Sequence, residues 1–138
     1  MSTADASYPD DLLYTHDHEW ARVEHKDGTA VATIGITRFA VNQLGDVTQV
    51  ELPKAGETVK QGTVFGSVES VKAVSDLFAP ASGTVVRVNS ALADAPELVN
   101  ESPYGEGWMI QIALASSDEL PKLMNRDAYA ILLREHAE

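Results

Sequence analysis

Two runs that each read as a β-strand, Val64 to Val68 and Val74 to Ala79, stand close together in VFGSVESVKAVSDLFAP, and the second stops at Pro80 with Gly83 following. Pairing them makes a hairpin, and the hairpin places Lys72 at its tip. Ordinary tips favour Asn-Gly or Asp-Gly, whereas Ser-Val-Lys-Ala is a poor turn by composition. Val71 and Ala73 flank the lysine with small or apolar side chains, while Glu69 and Asp76 stand three before and four after it. A surface lysine at such a tip is unremarkable by itself. The tip is also where a chain would hold out an amine for modification.

The rest of the chain reads as further short strands. Ala21 and Val23 alternate with Arg22 and Glu24, and Lys26-Asp27-Gly28 supplies an Asp-Gly turn. TAVATIGI returns with Ala32, Ile34 and Ile36 on one face. Thr37 is placed to cap a short helix, RFAVNQL, which Gly45 ends. TQVEL sets Thr48, Val50 and Leu52 on one side. The stretches Pro53–Ser70 and Ala79–Asn100 are weakly alike, each with a glycine turn followed by valines. WMIQIAL alternates Trp108, Ile110, Ile112 and Leu114 against Met109, Gln111 and Ala113. Beyond it the period becomes helical. Ser116 and Glu119 have capping-box spacing, Asn125 is a second cap, and Ala128, Ile131, Leu132 and Glu135 recur at helical intervals. The expected organisation is a flexible tail over residues 1–11 and one mostly β domain over 12–138, with a helical segment at about 116–136.

Composition narrows the chemistry. With 138 residues the chain has room for one real core. It has no cysteine, which excludes disulfides, zinc thiolates and thiol nucleophiles of its own. Twenty-one acidic against ten basic residues give a formal charge of −11, so a nucleic-acid surface is not expected. No apolar run approaches membrane-spanning length, and the acidic N-terminus resembles neither a secretory signal nor a transit peptide, which points to the cytoplasm. His16 and His18 are two apart, but no HExxH pattern or cysteine supplies a third metal ligand. His25 and His136 stand among charged residues. GSVES lacks the second glycine of a nucleophile elbow, and Gly35, Gly45, Gly62 and Gly66 form no phosphate-binding array.

The octet ESVKAVSD around Lys72 resembles the lipoyl-attachment segment of glycine cleavage system H proteins. So do HEW at 18–20, IGIT at 34–37, LGD at 44–46, VELP at 50–53, SGTVVRVN at 82–89, LVNESPY at 98–104 and GWMI at 107–110. The resemblance runs in order over roughly residues 12 to 133. Lipoyl domains of 2-oxo acid dehydrogenases tend to have Asp-Lys-Ala at the tip and biotin carriers Met-Lys-Met, and Val71-Lys72-Ala73 matches neither. Phe39, Val41 and Thr48-Gln49 depart from the family's common residues, and the hairpin at 23–29 is a few residues longer than in many members.

What the resemblance implies is a lipoyl/biotinyl-type barrel-sandwich hybrid with a short internal helix and C-terminal helices. Lipoate is then expected on Lys72 in amide linkage, with Glu69, Ser70, Val71, Ala73 and Gly83 shaping the hairpin that a lipoate-attaching enzyme reads. Stem and lipoyl chain together would reach roughly 14 Å from the backbone. The implied partners are a pyridoxal-phosphate-dependent glycine decarboxylase, a tetrahydrofolate-dependent aminomethyltransferase and dihydrolipoamide dehydrogenase. His18, Glu19 and Asp76 match the positions that shelter the loaded arm. The chain would be a carrier and no enzyme. Two other readings stay open: a lipoyl carrier or lipoate relay for another complex, and an unmodified adaptor of the same fold.

Overall fold

In the computed structural model, two antiparallel sheets share one apolar interior. It describes residues 8–26, 28–116 and 118–136. The chain runs through β1 (Leu13–Tyr14), β2 (Glu19–Lys26), β3 (Thr29–Ile36), α1 (Arg38–Leu44), β4 (Val47–Glu51), β5 (Thr58–Val59), β6 (Val64–Ser70), β7 (Val74–Phe78) and β8 (Gly83–Val88). Then follow α2 (Ala91–Asp94), α3 (Leu98–Glu101), β9 (Ile110–Leu114), a 3-10 turn at Leu120–Lys122 and α4 (Arg126–His136). The larger sheet has the order β1-β2-β3-β9-β8-β5 and the smaller one β4-β6-β7.

Local signals account for several elements as expected. β2 and β3 pair from Glu19↔Ile36 to Lys26↔Thr29, and Ala32, Ile34 and Ile36 all point into the core. Asp27 of the expected turn lies outside the described residues; Gly28 takes a positive φ of 81°. The Thr37 side chain caps α1 by accepting from the Ala40 N–H, and Gly45, at φ 78°, closes it by donating to Val41 O. Mostly β architecture with a short internal helix is what the sequence led us to expect.

Three details differ. A bulge between Val47 and Gln49 shifts the phase of β4, so Val47 is buried while Thr48 is exposed. One extra residue turns every later side chain to the other face. At the other end, Met109 is fully buried although the alternation assigns it outward; it enters before β9 begins, with its N–H on Ile34 O. The box at Ser116 and Glu119 does not start a helix. The Glu119 carboxylate instead accepts from the Ser82 N–H at 2.6 Å and the Ser82 hydroxyl at 2.8 Å, a tertiary tie that outcompetes the local cap.

The α-helix starts later, at α4, where Asn125 Oδ1 accepts from the Ala128 N–H as expected. Its inner face is set by Tyr129, Leu132 and Leu133 rather than by Ala128 and Ile131, which are exposed. Tyr129 stacks on Tyr14 at 4.5 Å and meets Tyr8 edge-on at 5.6 Å. These contacts make a second apolar cluster with Leu12 and Trp20, so α4 closes the end of the molecule where β1 and β2 begin.

Gly83 sits in the larger sheet rather than in the hairpin. A Cβ on it would lie 2.2 Å from Ala113 O of β9, so only glycine lets β8 and β9 approach this closely. Gly83→Ala should lower stability by roughly 2–4 kcal/mol, measured by denaturant titration, because strand backbone has to shift. A loss below about 0.5 kcal/mol would show that the strands have slack there.

Candidate functional site

The hairpin tip is held by a side chain. β6 and β7 pair from Val64↔Phe78 to Glu69↔Val74, leaving Ser70 to Ala73 to turn the chain. The Ser70 N–H donates to Ala73 O at 2.8 Å, and its hydroxyl oxygen accepts from the Lys72 N–H at 3.3 Å and the Ala73 N–H at 3.2 Å. This is how a segment with neither Gly nor Asn makes a tight turn: the serine hydroxyl occupies the place of a backbone acceptor. Ser70 is buried, whereas Val71, Lys72 and Ala73 are exposed.

The tip also leans on its neighbours. The Val71 N–H donates to Asp46 O at 3.1 Å, and Thr48 Oγ1 donates to Glu69 O at 3.2 Å. A Cβ added to Gly45 would lie 4.0 Å from Lys72 Cε, so the lysine stem runs over the end of α1. Glu69 is exposed on β6.

A cleft of about 210 Å³ opens beside the tip. Ala73, the residue after Lys72, lies at one part of its wall, and Asp17, His18 and Glu19 at another. Ala40, Gln43 and Leu44 of α1 make one side, and Ser75, Asp76 and Leu77 of β7 the other. The three residues expected to shelter an arm, His18, Glu19 and Asp76, therefore line one cleft. Asp76 is exposed at the cleft.

Glu19 is not the surface carboxylate its place beside Trp20 suggests. It is 1% exposed, accepting from the Thr15 hydroxyl at 2.7 Å and from the Phe78 N–H at 3.0 Å. Burial dominates those bonds and pushes its carboxyl up to about 8, with Asp17 adding a smaller push. A second groove, of about 170 Å³ and lined by Thr15, His16, Gln61 and Phe78, reaches Glu19 from the other side. Sequence reasoning found Glu19 but missed its burial, because the contacts with Thr15 and Phe78 that enclose it come from the fold.

His18 adopts a positive φ of 70°, uncommon without a glycine. Its Nδ1 is 2.8 Å from the Tyr129 hydroxyl, which is 2.8 Å from Thr37 Oγ1, and its ring packs 4.5 Å from Phe39. Tyr129, far along the chain on α4, is a part of the site that no local signal marks. His16 and His25 are exposed, and no cluster of three metal-ligating side chains occurs among the described residues. The His136 side chain lies outside the described residues.

The chain has close likenesses among known proteins. The family model for the glycine cleavage H-protein matches residues 12–136. The chain belongs to that family. A glycine cleavage system H protein of Salinibacter ruber is 55% identical over 122 residues, covering 88% of this chain and 95% of its own. That of Brevibacillus brevis is 52% identical over 128 residues, covering 93% and 98%. The crystal structure of the H protein from Mycobacterium marinum is 39% identical, with a TM-score of 0.80 over 94% of this chain and 99% of that one. H proteins are the carrier component of the glycine cleavage system and not one of its enzymes, and the family carries lipoate. The barrel-sandwich fold expected from the sequence is thereby shown. No helix among the described residues is long and apolar enough to cross a membrane.

Proposed function

We propose that the chain carries lipoate on Lys72 and bears an aminomethyl group between the pyridoxal-phosphate-dependent glycine decarboxylase and the tetrahydrofolate-dependent aminomethyltransferase, with dihydrolipoamide dehydrogenase restoring the arm. The observation that carries this is Lys72 itself. It is the exposed lysine of a hydrogen-bonded tip, and the next residue lines a cleft that holds a buried acid.

The residues fit such a group. Attachment takes two protons from the Nζ ammonium as the nitrogen displaces the activating group of a lipoyl carboxyl supplied by the attaching enzyme, and the resulting amide carries no charge. When bound, the dithiolane supplies the thiol–disulfide chemistry that a cysteine-free chain lacks. The tip keeps the root of the tether fixed, so the free end stays at high effective concentration for each docked enzyme. Glu69, exposed on β6 just before the turn, gives the attaching enzyme a charge to read beside the right lysine. Asp76 and Glu19 offer carboxyl groups in the cleft to an amine, while Leu44 and Leu77 wall it with apolar surface. The acidic surface favours docking on basic partner faces.

Loading is the test. Lipoylated protein mixed with carboxyl-labelled glycine and glycine decarboxylase should release one label per lipoyl group and retain the amine. Loading by a 2-oxo acid dehydrogenase component, with none from glycine, would assign the arm to another complex.

A further inference from the structure

The LVNESPY segment holds both ends of α1 through side chains that do not line the cleft. At the start of the helix, the Tyr104 hydroxyl oxygen accepts from the Arg38 N–H at 2.9 Å. At its end, Asn100 makes a fork: Nδ2 donates to Gly45 O at 2.8 Å and Oδ1 accepts from the Val47 N–H at 2.8 Å. The Arg38 guanidinium donates to Asn100 O at 2.9 Å, tying the fork back to the first turn of the helix. Reversing the amide would set its NH2 against the Val47 N–H and its oxygen against Gly45 O, so its orientation follows from the backbone.

Between the two atoms that Asn100 grips lies Asp46, whose carbonyl receives the Val71 N–H at 3.1 Å. Gly45 is also the residue over which the Lys72 stem passes. We propose that Asn100 is a positioning residue for the modified lysine: it clamps residues 45–47 as a platform, and the platform fixes the height and direction of the 70–73 tip. The inference rests on reading Lys72 as the attachment site. It gives a function to a side chain that sits outside both the hairpin and the cleft. Ser70 folds the turn from within, and Asn100 sets where the folded turn stands.

The test is amide exchange and lipoylation of the full chain, comparing wild type, Asn100→Ala and Tyr104→Phe. In Asn100→Ala the Val71 amide should exchange roughly tenfold faster, beyond any change in the β2–β3 amides that report global stability. With fewer molecules presenting the competent tip, the KM for lipoylation should rise several-fold while kcat holds. Asn100→Asp, which keeps the Val47 bond and loses the one to Gly45, should fall between. Tyr104→Phe frees the other end of α1 and should leave Val71 exchange and KM unchanged. Equal Val71 exchange in Asn100→Ala and wild type would overturn the proposal. So would the same KM rise in Tyr104→Phe at a matched loss of Tm. Wild-type protein that takes up no lipoyl group would instead overturn the Lys72 reading, and Val71 exchange would then decide whether Asn100 braces the tip.

Discussion

Lys72→Arg will gain no mass in cells supplied with lipoate, while the wild-type chain gains one lipoyl group. Arginine keeps the charge and most of the stem, so the fold and the platform at Gly45 are undisturbed, yet its guanidinium does not form the amide. The loss should be complete rather than partial. Other lysines do not substitute, because none of them stands on this turn, where Ser70 bonds two successive N–H groups and Asp46 a third. Glu69→Ala, with the lysine intact, should slow the gain without abolishing it. A wild-type chain that stays unmodified beside competent machinery would return the protein to an adaptor role, and a biotin-sized gain would move it to another class of carrier. Modification that persists in Lys72→Arg would locate the arm elsewhere.

How much of this was legible before the fold was known depended on distance along the chain. The hairpin, the Thr37 cap and the Gly45 stop are signals within a few residues, and each has a local hydrogen bond that repays it. Lys72 stands out in the sequence for the same reason, since an ill-suited turn sequence is itself local information. The decoy at Ser116 and Glu119 shows the limit. Its spacing is right for a capping box, but Ser82, 37 residues away, offers two donors to the same carboxylate. The bulge in β4 was hidden because alternation alone does not say where a residue is added. Asn100 has no role that its sequence neighbours reveal, because what it grips, residues 45–47, comes near only when α1 and α3 pack. His18, Glu19 and Asp76 line one cleft, but the state of Glu19 is a property of burial and so belongs to the packed chain.

That state has a consequence for the unmodified protein. Glu19 titrates near 8 when folded against an ordinary value of 4.5, so between those values the folded chain binds a proton that the unfolded chain has lost. Stability must then fall as pH rises through this window and level off above 8, by roughly 2–5 kcal/mol in all. Below 4.5 both states are protonated and Glu19 has no effect. Glutamine is the uncharged isostere: its oxygen can accept from the Phe78 N–H, while its NH2 gives up the bond that Oε1 accepts from the Thr15 hydroxyl. Glu19→Gln should therefore lie about 1 kcal/mol below the wild type in denaturant titrations near pH 4 and lose less stability than the wild type between pH 4 and pH 8–9. Parallel curves for the two proteins across the window would show that Glu19 is ionised despite its burial. The same acid should behave differently under a loaded arm, because an ammonium group in the cleft favours the carboxylate and draws the proton off. An aminomethyl amine held as a cation is a poor donor of the electron pair that would expel the thiolate, so an ionised Glu19, with the Asp76 side chain in the same cleft, slows its loss. Glu19→Gln and Asp76→Ala should then shed formaldehyde and ammonia from loaded protein about tenfold faster than wild type. Unchanged release in both would leave Glu19 as a buried acid with no part in shelter, whatever its effect on stability.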